Sequence, residues 1–127
     1  MISTIAMVGL GGALGAIMRY CVSIGTEHAL GAGFPWATII VNVMGSLMMG
    51  ILIAKLAMME DVSNDLKALY ASGFLGAFTT FSTFSLDFVM LWQRGEMIYA
   101  LGYMLASVVL SILALGLGLL LMRGTLS

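Results

Sequence analysis

Four long stretches without a charged side chain, residues 1–18, 29–54, 68–86 and 97–122, take up most of this 127-residue chain. About 20 apolar residues in a helix, each rising about 1.5 Å, cross the hydrocarbon core of a bilayer, and each stretch is close to that length. A backbone in lipid must satisfy its own amides and carbonyls, so runs of this kind fold as helices. The expected class is an all-α integral membrane protein with four transmembrane helices. Composition agrees: 61% of the residues are hydrophobic, 9% are charged and the mean hydropathy is +1.12. With four spans assigned, no room is left for a soluble catalytic domain.

The charges set the expected spans at about 3–26, 35–55, 66–92 and 97–122 of a single domain, 1–127. Arg19 falls inside the first span. Pro35 suits the first turn of the second, where its missing N–H costs nothing. The polar loop "KLAMMEDVSNDLK" separates spans two and three, and "QRGE" at 93–96 turns the chain into span four. The first stretch has no basic leader region and no small-residue cleavage site, and is expected to be retained as a span.

Orientation is weakly specified. With both termini inside, Lys55, Lys67 and Arg123 face the cytoplasm against Arg94 outside, a small bias where a clear excess of basic residues normally decides. One reading is that a small chain simply carries few charges. The other is insertion in both orientations, which permits an antiparallel homodimer with its two-fold axis in the membrane plane.

Small residues give each helix a packing face. Gly11 and Gly15, Ser46 and Gly50, and Ala114 and Gly118 are each spaced by four. These are expected to serve helix packing and no chemistry. Polar residues within the spans are more informative, because lipid leaves them costly unless they face a partner or a polar path. Tyr103, Ser107 and Ser111 recur at i, i+4 and i+8 on one face of span four, and Asn42 and Ser46 share a face of span two. All are hydrogen-bond donors and none is charged.

Span three carries the densest signal. The segment "GFLGAFTTFSTFSLD", residues 73–87, holds two glycines, five hydroxyl side chains and four of the six phenylalanines. Phe74, Phe78, Phe81, Phe84 and Phe88 form a helical stripe, with Thr79, Thr80, Ser82, Thr83 and Ser85 on the other faces. Gly73 and Gly76 weaken the helix and the hydroxyls compete for its backbone bonds, so a break is expected near residues 76–80. Non-helical backbone at that depth survives only where it is buried in protein or lines a polar site. Phenylalanine edges are electropositive, and together with neutral donors they suit a small anion.

These motifs identify a resemblance. "GGALGAIMRY" with Arg19, "VNVMGS" with Asn42, "GFLGAFTTFSTFS" and the Tyr103, Ser107, Ser111 track together resemble the bacterial fluoride channel family, the small dual-topology proteins known as CrcB or Fluc. The likeness covers the whole chain. It implies an antiparallel homodimer in the bacterial cytoplasmic membrane that passes fluoride, excludes chloride and so lowers cytoplasmic fluoride. It implies two pores, each lined by both subunits, with Asn42, Phe81, Phe84, Ser82, Thr83, Tyr103, Ser107 and Ser111 as pore residues. It also implies a structural, untransported Na+ at the dimer centre on the backbone carbonyls of Gly76 and Thr79. For Arg19 two readings stand, a vestibule that concentrates anions or a side chain snorkelling to the interface. For Asp87 two also stand, pairing with Arg94 or capping the end of span three.

Other classes are weighed against the same residues. A small multidrug or cation exporter resembles its kin in an embedded glutamate in span one, whereas Glu27 lies at that span's end and the embedded charge is Arg19. An accessory membrane subunit needs packing faces and no donor track. An enzyme is not expected from one histidine, one cysteine and no paired carboxylates within the spans. The net charge of −1 gives no reason to expect nucleic acid.

Overall fold

The computed structural model describes residues 1–124, with side chains through Met122; Arg123, counted above among the flanking basic residues, lies outside the described side chains. Four helices or helical runs are long and apolar enough to cross a membrane, and the chain is an all-helical, multi-pass membrane protein. The first is α1, Ile2–Leu30. It continues past Glu27 and His28 because nothing breaks it before Gly31, whose N–H bonds back to the Glu27 carbonyl at 2.9 Å. Helix α2, Trp36–Met58, starts directly after Pro35.

The third run is compound. Ser63 caps a short helix α3, Asn64–Lys67, by accepting from the Leu66 amide at 3.2 Å. A π-helical segment, Ala68–Leu75, leads into a single turn, α4, Gly76–Phe78. Thr79 and Thr80 are extended, at φ −86°, ψ 156° and φ −151°, ψ 124°. Helix α5, Phe81–Gln93, then begins with the Thr80 hydroxyl accepting from the Thr83 amide at 3.2 Å. The turn into α6, Met97–Gly124, needs a left-handed residue, supplied by Gly95 at φ 80°. Arg94 fastens that turn by donating to the Gly33 carbonyl at 2.9 Å and pairing with Glu96 at 3.0 Å.

Glycine determines how closely the helices approach. A Cβ added at Gly15 would lie 2.2 Å from the Phe74 carbonyl oxygen, and one at Gly50 would lie 2.2 Å from that of Leu115. Helix α1 therefore rests on the backbone of the π-helical segment, and α2 on α6. Such backbone contact is how helices associate where lipid supplies no hydrophobic drive. A compact aromatic cluster of Leu91, Ala100 and Tyr103, joined by Phe34, Phe84 and Phe88, ties α5 to α6. The extended pair Thr79–Thr80 rests against α2, where Asn42 bonds Thr80 and Gly45 leaves room for the Thr79 side chain.

Candidate ion-conducting site

Breaking a helix at 79–80 leaves backbone groups without their usual partners. Asn42 answers for Thr80: its Oδ1 accepts from the Thr80 amide at 2.8 Å, and its Nδ2 donates to the Thr80 carbonyl at 3.0 Å. One side-chain amide thus replaces two ladder bonds, leaving one Nδ2 proton. Thr79 donates from both its amide and its hydroxyl to the Leu75 carbonyl, at 3.1 and 2.9 Å. Arg19 Nε donates to the Ala77 carbonyl at 3.0 Å, a cation placed at the negative end of a helix.

Two further carbonyls lose the donors that a continuous helix would aim at them. The amide four residues beyond Gly76 is that of Thr80, which goes to Asn42; the amide four beyond Thr79 is that of Thr83, which goes to the Thr80 hydroxyl. Gly76 and Thr79 thereby present hard, neutral oxygens at the break. Gly76 is exposed on this chain and Thr79 partly so.

Beside the break lies a cavity of about 330 Å³, lined among others by Asn42, Thr80, Phe81, Phe84, Ser107 and Ser111. It gathers residues from three spans. The hydroxyls of Ser107 and Ser111 are buried and have no hydrogen-bond partner. A helical serine can usually turn its hydroxyl back to the carbonyl four residues earlier, so two unpartnered ones on adjacent turns are unusual, and each is costly. Phe81 and Phe84 stand 5.5 Å apart between ring centres, tilted by 49°. Phe84 is backed by Tyr103 at 5.4 Å, while Phe81 is 77% exposed on this chain.

The remaining expected pore residues lie elsewhere. Tyr103 is 1% exposed and lines no part of this cavity; its hydroxyl proton goes to Asp87 Oδ2 at 2.9 Å, so it positions the carboxylate and has no proton left to give an anion. Thr38, which the sequence reading passed over, donates to the same oxygen at 2.7 Å. Asp87 therefore pairs with two hydroxyls, and neither of its expected roles describes it: Arg94 is engaged with Glu96 and Gly33. Ser82 is exposed, 3.4 Å from the Thr80 hydroxyl. Thr83 lines a second cavity of about 290 Å³ together with Arg19, Ser23, Thr38 and Thr80. Thr80 borders both spaces, so it stands between the serine cavity and the arginine cavity. The second cavity shares Thr38 and Thr83 with a third of about 280 Å³, which reaches Glu27 and Arg94 near the ends of α1 and α5.

Residues 6–119 match the family described as CrcB-like protein, Camphor Resistance (CrcB). The chain belongs to that family. Among its relatives is the fluoride-specific ion channel FluC of Chelativorans sp. (strain BNC1), 53% identical over 120 residues, which are 94% of this chain and 96% of that one. The proteins of the same name from Mesorhizobium japonicum and Agrobacterium fabrum are 46% and 43% identical, over 92% and 94% of this chain and 94% and 95% of theirs. The CrcB-like match takes in Arg19, Asn42, the extended pair and both unpartnered serines. The relatives carry the name of a channel and not of an enzyme.

Proposed function

We propose that this chain is a fluoride-selective channel that lets fluoride leave the bacterial cytoplasm passively across the inner membrane, as an antiparallel homodimer with two pores. One observation carries the reading: the buried hydroxyls of Ser107 and Ser111 have no partner and line a cavity beside Phe81 and Phe84. The name borne by the relatives supports it. Fluoride holds its water tightly, so a path must offer donors in exchange. The serine hydroxyls and the free Nδ2 proton of Asn42 offer them, and the phenylalanine edges add positive potential where the path is too narrow for water. No lysine lines the cavity, and without a fixed cation the ion is not held too tightly to leave. Chloride is refused by width. Phe81, largely uncovered on one chain, is available to a pore shared with a second copy.

The carbonyls of Gly76 and Thr79 suit a resident sodium ion, since each has lost its helical donor and both are neutral oxygens of the kind a small hard cation takes. Bound between two copies, the ion supplies positive charge that fastens the dimer at its centre. Efflux from liposomes holding the purified protein tests the proposal. Fluoride leaves and chloride stays if it holds. Proton-coupled cation movement, the behaviour of a small exporter, or no fluoride movement at all overturns it.

A further inference from the structure

A space larger than the serine cavity or either arginine cavity belongs to none of them. It is an apolar groove of about 560 Å³ on another face of α2, lined by Met48, Ile51 and Leu52 with Tyr70 and Phe74 of the π-helical segment. Lys55 is the one charged residue in its lining. Lys55 is exposed, stands in the last turn of α2, and forms no ion pair among the described residues.

The geometry points to a binding site for an anionic phospholipid, with one acyl chain in the groove and the phosphate at Lys55. Depth favours this occupant: from Lys55 to Met48 is seven residues of helix, roughly 10 Å, against roughly 15 Å for one leaflet of hydrocarbon. The groove thus starts at headgroup level and follows the upper part of a chain. Chemistry favours it too, because an unpaired ammonium at the mouth of an apolar slot matches a molecule with a charged phosphate at one end and hydrocarbon along the rest. A second copy of the protein seated here would have to bring a carboxylate to Lys55 or bury an uncompensated charge. The site rests on nothing assigned to ion conduction, and none of the residues named for it is used there.

Native mass spectrometry of the purified protein, equilibrated with equal amounts of phosphatidylglycerol and phosphatidylcholine, tests the site. Wild type is expected to retain phosphatidylglycerol about fivefold over phosphatidylcholine, the effect of one basic residue near a charged surface. Lys55→Gln, an exposed change, is expected to remove the preference while the melting midpoint stays the same. Met48→Trp, which fills the groove, is expected to lower retention of both lipids while fluoride flux persists. Equal retention by wild type overturns the proposal, as does a preference that survives Lys55→Gln. So does efficient disulfide formation between two copies carrying Leu52→Cys, which would make the occupant protein.

Discussion

At the scale of single residues, the cavity sets function against stability. A buried hydroxyl without a partner costs about 1–3 kcal/mol, so Ser107 and Ser111 are expensive unless an ion passes them. Replacing both by alanine is expected to raise the melting midpoint or leave it unchanged, and to remove most fluoride flux; a thermal melt and an efflux assay on one preparation check the pair. The reverse pattern, lost stability with flux intact, would make the hydroxyls structural. The rings call for a different substitution. Phe81→Ile and Phe84→Ile keep much of the volume and lose the electropositive edge, so each is expected to assemble normally and to lose most flux. Phe84 also packs on Tyr103, and its variant is expected to be the less stable by about 0.5–1.5 kcal/mol. Wild-type flux in both variants would leave the rings as packing.

Among the elements, the extended pair depends on side chains far away in sequence. Asn42→Leu leaves the Thr80 amide and carbonyl without protein partners at bilayer depth, a loss of about 1–3 kcal/mol for each. The variant is expected to melt well below wild type and to conduct nothing, as circular dichroism and efflux would report. Retained stability would mean that the backbone finds other bonds. Much of this element was legible: two glycines and five hydroxyls in an apolar run marked where its backbone bonding is weak, and uncharged runs marked the four membrane-crossing segments. Three things were not. The π-helical segment has no composition of its own, since its glycine and alanines read equally well as α-helix. Nothing local says that Asn42 meets Thr80 or that Thr38 meets Asp87, because those pairs exist only after packing. Periodicity placed Tyr103 on the serine face, but the pull of Asp87 and the aromatic cluster turned its hydroxyl to another partner.

For the molecule as a whole, near-even charge bias is the consequential quantity. Lys55, Lys67 and Arg123 flank the spans on one side and Arg94 on the other, and a margin this small orients a chain weakly. Equal numbers of chains are expected in each orientation, so cysteines placed at tagged termini should react equally with an impermeant reagent from either membrane face. Labelling from one side alone would exclude an antiparallel pair made from one sequence. The tie between Asn42 and Thr80 has a last consequence, for biogenesis. Asn42 lies on span two, which precedes span three in the chain, so its side-chain amide is already made when Thr80 arrives. Docking of α2 against the third run is then the step that satisfies the Thr80 amide and carbonyl together.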